Sequence, residues 1–485
     1  MSVDARIEFI GTTFKSSDIV RVAQLLDSFH IHLRGTATSA ALLLNILNLI
    51  ARIFPSISIE APRERVSVPV FGDGEITELG KRLVNSLQPS RAIDPSRTLV
   101  IDTGTGRDGA DIYITADTWT IGMSRTPLDH LQGSGPAQTA AAALAASEIF
   151  REALPEFPGV RLGEEPFFWN LLDYRTTRAP DERCPAGAVD AICFGAGSVG
   201  SSILYALVLG NSSGSLVFVD PDRLSPRNRF RYPLWLATKT EPKVSWIRRM
   251  ASGTRIRVQA YAESAADFIY RYTQPIAVAI AAVDNVSARR DIADALAHTT
   301  LNVGIDGMKF HVSRHHFDDG YSCAYCQYVS VGETMDEVAM YVQLTGLGAG
   351  RIQKLLGGEQ LRAADLERIV KNGKLPYEKA SRDLIGGRLQ DALRLRLYEQ
   401  ATVQVTSGAL AIAAPFVSAL AGSVLAAELQ KLGARRADLL VNRRIDIDCS
   451  GFPTGFQSQP LQEKLGRCLC HNNFRRRQYK ALWNG

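Results

Sequence analysis

The sequence carries little excess charge: 55 basic against 50 acidic side chains leave +5 over 485 residues. A balance this even excludes the broad cationic field of a nucleic-acid binder. The run Arg475-Arg476-Arg477 reads as a solvated segment rather than a binding patch. Cysteine is scarce as well. Seven thiols are an odd number, and four of them sit in two close pairs. That usage excludes a disulfide framework and fits a reducing compartment with one metal site. Long unbroken apolar runs are missing. The best of them, residues 409–429, holds Ser, Pro, Gly and Glu, so no membrane span is expected. No stretch near the N-terminus combines a basic start, an apolar core and a small-residue cleavage site, which makes the expectation a cytoplasmic protein. The apolar fraction is ordinary for a globular chain, and the length allows about two to four domains.

What the sequence does hold is a nucleotide-binding pattern. Ala191-Ile192-Cys193-Phe194 is a strand-like run that breaks into Gly195-Ala196-Gly197-Ser198-Val199-Gly200. An apolar helical stretch through Ile203, Leu204, Leu207 and Val208 follows, then Leu216-Val217-Phe218-Val219, ending at Asp220. Strand, glycine loop, helix, strand and acid in this order form the nucleotide-binding half of a doubly wound sheet. A third apolar run, residues 276–283, ends at Asp284 and reads as a buried parallel strand. The expected fold class is α/β, with a Rossmann-like doubly wound domain.

The first part of the chain repeats this plan in worn form. Ile31-His32-Leu33 runs into Gly35-Thr36-Ala37-Thr38-Ser39-Ala40, a helix through Leu42, Ile46 and Leu49, and Ile57-Ser58-Ile59-Glu60. Laid over the later unit without a gap, Gly35 falls on Gly195, Ala37 on Gly197, Ala40 on Gly200 and Glu60 on Asp220. A second echo pairs the Ala-rich stretch 137–150 with 414–429, each ending in a Glu after small residues. The competing account is that any two Rossmann-like units look alike. The repeat predicts two related lobes, the first stripped of the glycines that let backbone approach a phosphate. Residues 1–160 are then a degenerate lobe and 161–485 the active one. Residues 155–188 read as the junction and 332–406 as a helical insertion or crossover segment.

A lone Gly-x-Gly-x-x-Gly is shared with oxidoreductases, so the residues after Asp220 decide. They read Pro221-Asp222-Arg223, then Asn228-Arg229-Phe230-Arg231, Glu241-Pro242-Lys243, and Val283-Asp284-Asn285. A glycine loop, Asp-x-Asp, Asn-x-x-Arg, a Lys and a later Asp-Asn, in that order, resemble the ThiF/MoeB superfamily, which includes the ubiquitin-activating enzymes. The resemblance covers residues 186–326 well and reaches the C-terminus more loosely. It implies an adenylyltransferase that uses ATP and Mg²⁺ to turn a carboxylate into an acyl adenylate. It also implies that Gly195, Gly197 and Gly200 pack against the nucleotide and that Asp220 takes the ribose hydroxyls, with Asp222 beside it. Asn228, Arg231 and Lys243 would hold the phosphates, and Asp284, next to Asn285, would bind magnesium. Arg231 sits in an arginine-rich run that permits a one-position error, and Lys243 competes with Lys239. The implied partner is a small ubiquitin-like or sulfur-carrier protein, or a peptide, with a free C-terminal tail. Two lobes pair in such proteins, as a homodimer or as an internal pseudo-dimer, and Arg175 and Arg178 are candidates for an arginine reaching across.

Cys323-Ala324-Tyr325-Cys326 and Cys468-Leu469-Cys470 form the second constellation. Two such knuckles far apart in sequence can close a tetrahedral thiolate site for structural zinc. The second knuckle is Cys-x-Cys where the family has Cys-x-x-Cys, which leaves Cys470 and His471 as rival fourth ligands. No cysteine lies between Cys326 and Cys449, so the thioester-forming Cys of the ubiquitin-activating enzymes has no counterpart here. Cys193 and Cys449 read as buried strand residues, and Cys184 lies in the junction. His315-His316 reads as part of a polar loop. Three rivals stand beside this reading: an enzyme adenylating a ribosomally made peptide, a catalytically lapsed scaffold of the same fold, and an NAD-dependent oxidoreductase. The last leaves the Asn-x-x-Arg and Lys elements unexplained.

Overall fold

Strand β9 (Val189–Phe194) is buried at every position but Asp190, the pattern of a strand covered by helices on both faces. In the computed structural model it lies inside an eight-stranded sheet. The described residues are 16–87, 95–157, 159–179, 187–224, 226–230, 232–234, 240–329, 338, 341–342, 345–356, 359–371, 385–387, 389, 414–462, 464 and 466–483. Strands β10 (Gly214–Val219), β13 (Ile256–Tyr261), β14 (Val278–Ala281) and β15 (Thr299–Asp306) run parallel with β9. Then β16 (Lys309–His315), β17 (Arg444–Asp448) and β18 (Gln457–Ser458) extend the sheet antiparallel. The order across the sheet is β13-β10-β9-β14-β15-β16-β17-β18. Helices α5 (Ser198–Leu209), α6 (Lys243–Ala251), α7 (Ala265–Arg271) and α8 (Val286–Asp294) alternate with the parallel strands.

A second sheet precedes it in the chain. Its strands are β1 (Phe29–Arg34), β2 (Ser56–Glu60), β5 (Arg97–Asp102), β6 (Ile112–Ala116), β7 (Thr120–Ser124) and β8 (Phe167–Asn170). They lie in the order β2-β1-β5-β6-β7-β8, the first four parallel and the last two antiparallel, so the first half runs through β8 and past the expected boundary at residue 160. This matches, strand for strand, the β10-β9-β14-β15-β16-β17 portion of the later sheet. Helix α1 (Ser16–Asp27) precedes β1; helices α2 (Ala40–Ile50), α3 (Ile76–Leu87) and α4 (Pro136–Ala153) belong to this half, and a hairpin of β3 (Arg65–Val68) and β4 (Gly72–Glu75) stands apart from the sheet.

The register corrects one detail of the gapless overlay. Phe194 pairs with Val219, whereas its counterpart Arg34 pairs with Glu60. Glu60 therefore matches Val219, and the position of Asp220 falls on Ala61. One residue more separates the two strands in the first half, and a one-residue slip moves a side chain to the other face. Glu60 sits half-exposed, bridged to Arg107 at 2.6 Å and to His32 at 3.3 Å.

The Ala-rich α4 and its echo, α11 (Pro415–Gly433), pack on each other, and α2 and α5 flank them. Small residues let the axes come close, and Thr139 Oγ1 meets Ser423 Oγ at 2.6 Å. Both helices bury the Glu that ends the repeat, together with a cation one turn on. Glu148 pairs with Arg151, and Glu428 with Lys431 at 2.6 Å, all four side chains essentially inaccessible. The pairs are used reciprocally. Arg151 donates to the carbonyl of Cys449, after β17, at 2.7 Å, and Lys431 donates to that of Leu171, after β8, at 3.0 Å.

The chain divides into two compact units, Arg21–Gln327 with Ala413–Gly485, and Met1–Val20 with Tyr328–Ile412. The larger unit holds both sheets. The described part of the smaller one contains α9 (Ala349–Leu356) and α10 (Ala363–Lys371). Its core gathers Tyr341, Leu347, Ile352, Leu355, Leu361, Leu366, Ile369 and Leu389. Helix α12 (Asn473–Trp483) ends the described chain. No described helix is long and apolar enough to cross a membrane.

Candidate active site

The strand order changes direction between β9 and β14, and in a doubly wound sheet the carboxyl ends at such a switch point are where ligands bind. The three glycines of the loop differ in what they do. Gly195 leaves β9 at φ +106°, and a Cβ there would stand 2.3 Å from the carbonyl oxygen of Ala282. A Cβ on Gly200 would stand 2.1 Å from the carbonyl oxygen of Gly195. These two are demanded by packing. Gly197, the N-cap of α5, has an ordinary extended backbone (φ −70°, ψ −163°), and the nearest atom to its Cβ position is Tyr232 Oη at 3.5 Å. Its missing side chain leaves open space before a helix N-terminus, where backbone N–H groups and the helix dipole favour an anion.

Asp220 follows β10 and is buried. Its Oδ2 accepts from the Ala196 amide and its Oδ1 from the Asp222 amide, both at 2.8 Å. Lys243 opens α6, and its Nζ lies 3.1 Å from Asp220 Oδ2 and 2.7 Å from Asp222 Oδ2. The short pairing of β11 (Arg223–Leu224) with β12 (Glu241–Pro242) brings these residues together, and the Lys243 amide donates to the Asp222 carbonyl at 2.9 Å. Two carboxylates thus share one ammonium at the mouth of the glycine loop.

Asn228 lies in a 3₁₀ turn (Pro226–Phe230), and its carbonyl accepts from the Tyr232 amide at 2.8 Å. Arg231 lies outside the described residues, as do Lys239 and Cys184. Asp284 follows β14 and is exposed; Asn285 caps α8, its Oδ1 accepting from the Ala288 amide at 2.6 Å. Arg175 forms an exposed pair with Asp173 at 3.5 Å. Arg178 lies over the Phe168 ring, 3.7 Å from Asp129.

Three contributors had no sequence signal. Tyr232 Oη donates to the Ala196 carbonyl, inside the glycine loop, at 2.6 Å. Arg289, on α8, donates to the carbonyls of Val283 and Val303 and so fixes the turn that presents Asp284. Arg52, at the end of α2, donates to the carbonyl of Pro233 at 2.8 Å.

The thiolate centre is a separate construction. Cys323, Cys326, Cys468 and Cys470 are buried with their sulfurs all within 4.8 Å of one another. The closest pairs are 3.4 Å (Cys323–Cys468), 3.4 Å (Cys326–Cys470) and 3.8 Å (Cys323–Cys326). Tetrahedral zinc with Zn–S bonds of about 2.3 Å needs sulfurs roughly 3.8 Å apart, so the donor set fits that ion. Cys470 belongs to the cluster and His471 does not. His315 is not in a polar loop: it ends β16, buried, with its imidazole between Ser322 O (2.6 Å) and Ser313 Oγ (2.8 Å). Burial pushes its pKa down to about 4. Burial likewise raises both structural thiols, Cys193 most and Cys449 to about 12, which leaves them protonated and inert.

No family model matches the chain. An uncharacterized protein of Sinorhizobium fredii (strain NBRC 101917 / NGR234), y4jF, is 26% identical over 454 residues, covering 87% of this chain and 84% of its own. Among solved structures, E. coli MccB with AMPCPP and MccA is 12% identical with a TM-score of 0.33, covering 58% of this chain and 66% of that one. PaaA is 14% identical with a TM-score of 0.30, covering 53% and 69%. The chain spans just under two thirds of the length of the MccB structures it matches first.

Proposed function

We propose that this chain is an ATP-dependent adenylyltransferase of the ThiF/MoeB type. Its substrate is the C-terminal carboxylate of a small ubiquitin-like or sulfur-carrier protein, or of a peptide, with a flexible tail. The observation that carries the reading is Lys243 held between Asp220 and Asp222 before the open space at Gly197. In acyl adenylate formation a carboxylate oxygen attacks the α-phosphorus, and the bond to pyrophosphate breaks. Negative charge builds on phosphate oxygens, so the site must supply cations and N–H donors. In this reading the amides at the start of α5 face the phosphates, and Asp220 receives the ribose hydroxyls. Lys243 is released from the acids to follow the leaving pyrophosphate, with Asn228 and Arg231 beside it. Asp284 and its neighbour Asn285 would hold a magnesium ion, which supplies charge neutralisation of the triphosphate when bound. Zinc would sit in the four-cysteine centre and tie residues 468–470 to the second lobe.

The acyl group passes on without the usual catalytic cysteine. Cys193 and Cys449 are buried with raised pKa values, and the stretch between Cys326 and Cys449 contains none. An external thiol or amine then takes it directly. The α4–α11 packing supports an internal pseudo-dimer, the first lobe standing where a second subunit would.

The test is ATP–pyrophosphate exchange by the purified protein with candidate small proteins and peptides, run beside Asp284→Ala. Exchange that needs the partner and vanishes in the variant supports the reading, and mass spectrometry of the partner separates a folded carrier from a short peptide. Absence of both exchange and ATP binding would sink it in favour of a scaffold that kept only the fold.

A further inference from the structure

We infer that Arg52 and Asn48, from the first lobe, position the Tyr232-Pro233-Leu234 segment against the glycine loop of the second, so that nucleotide binding in one lobe depends on the other. The inference rests on the nucleotide reading above.

Helix α2 is buried at ten of its eleven positions, and Asn48 lies on its last turn. Arg52, two residues past the helix, has no accessible surface. Its Nη2 donates to Asn48 Oδ1 at 2.9 Å and to the Pro233 carbonyl at 2.8 Å, and Asn48 Nδ2 donates to the same carbonyl. Among the described residues no acceptor reaches Arg52 Nε or Nη1. Burial, and after it the charge of Arg229, push the guanidinium down to about 9. A buried cation with unmatched donors beside a second cation is costly, and an apolar residue of similar size would fill the same space without that cost. What only a donor at this place achieves is the grip on Pro233.

That grip lies one residue from the site. Tyr232 donates its hydroxyl to Ala196 between Gly195 and Gly197, and its amide to Asn228. Tyr232 and Leu234 are buried, and Tyr232 packs with Leu224 and Trp246. Pro233 has a fixed φ, which leaves one backbone rotation fewer between the held carbonyl and Tyr232. Arg52 and Asn48 are positioning residues: they act on the nucleotide only through Tyr232.

The experiment uses Arg52→Met, which keeps the volume and removes the donors, Tyr232→Phe, which cuts the same chain at its other end, and the double variant. Thermal unfolding, calorimetric affinity for a non-hydrolysable ATP analogue, and the KM for ATP against kcat in exchange are read for each. The expected result is a melting temperature for Arg52→Met at or above that of the parent, with a KM for ATP raised about 10-fold and kcat moved less. Tyr232→Phe should behave alike, and the double variant no worse than the worse single one, because both cut one chain. A KM within about twofold of the parent for Arg52→Met, or effects that multiply in the double variant, overturn the inference alone. If the parent protein binds no ATP analogue, the nucleotide reading fails and the inference falls with it.

Discussion

Replacing each glycine of the loop by alanine separates what the fold needs from what a ligand needs. At Gly195 the added methyl meets the Ala282 carbonyl at 2.3 Å in a left-handed backbone conformation. Strain and overpacking together predict a loss of roughly 2–6 kcal/mol. At Gly200 the backbone is ordinary but the methyl meets the Gly195 carbonyl at 2.1 Å, and overpacking predicts about 1–3 kcal/mol. At Gly197 neither applies: φ is −70° and the nearest atom is 3.5 Å away. Gly197→Ala should leave stability unchanged or raise it by about 0.4–1 kcal/mol, because alanine narrows the unfolded ensemble. The same methyl fills the space in front of α5, and a phosphate held off by about 1 Å should lose 10- to 100-fold in affinity, or roughly 1.4–2.8 kcal/mol. Denaturant unfolding and calorimetric ATP titration of the three variants read both quantities. A Gly197→Ala protein that binds ATP within twofold of the parent would refute the placement of the phosphates. One that is destabilised by more than about 2 kcal/mol would refute the loop geometry itself.

Chelation or Cys323→Ser should release about one zinc per chain and lower the melting temperature sharply, since structural zinc contributes on the order of 10 kcal/mol; metal analysis beside thermal unfolding checks it. Lys431→Met should cost about 3–5 kcal/mol in urea unfolding by stranding the buried Glu428, and Glu428→Gln in the same chain should recover most of it. His311 is pushed down to about 3, first by burial and then by Arg444. A histidine with a depressed folded pKa gives stability present above the unfolded value near 6.5 and lost as pH falls toward the folded value. Acidification from pH 7 to pH 5 should therefore cost about 2 kcal/mol through this residue, and His311→Gln should flatten that slope.

The glycine loop was legible because its signal is local. Strand, tight turn, helix and acid lie within thirty residues, although the carbonyl that demands a glycine at Gly195 belongs to the distant Ala282. Motif order singled out Lys243, Asp220 and Asp222 one by one, with Lys243 expected on phosphates; nothing in the local residue pattern indicates that both acids bind its ammonium at once. Cys470 was one of two candidates because Cys-x-Cys and Cys-x-x-His can both close a knuckle on paper, and only the path of the turn before α12 selects the sulfur. Glu60 was misplaced by one because a gapless overlay ignores that the two crossovers differ in length, and a single residue is enough to change its face. Arg52 had no signal at all. Following an apolar helix, a cation reads as a solvated end interacting with the helix dipole, and nothing local reveals that another lobe covers it.

The two buried ion pairs tie the two sheet-bearing halves to each other. Glu148 with Arg151 and Glu428 with Lys431 are related by the internal repeat, and each cation reaches past its own lobe to carbonyls of the other. Arg151 keeps Glu148 and Ser147 as partners on its own helix, so the first pair depends less on the other half than the second does. Without the first half, Lys431 loses Leu171 and Leu172, and Glu428 loses the Tyr174 hydroxyl at 2.5 Å. Without the second, Arg151 loses Cys449 and Gly451. The residues that lock the halves lie on α4 and α11 and belong to neither glycine loop.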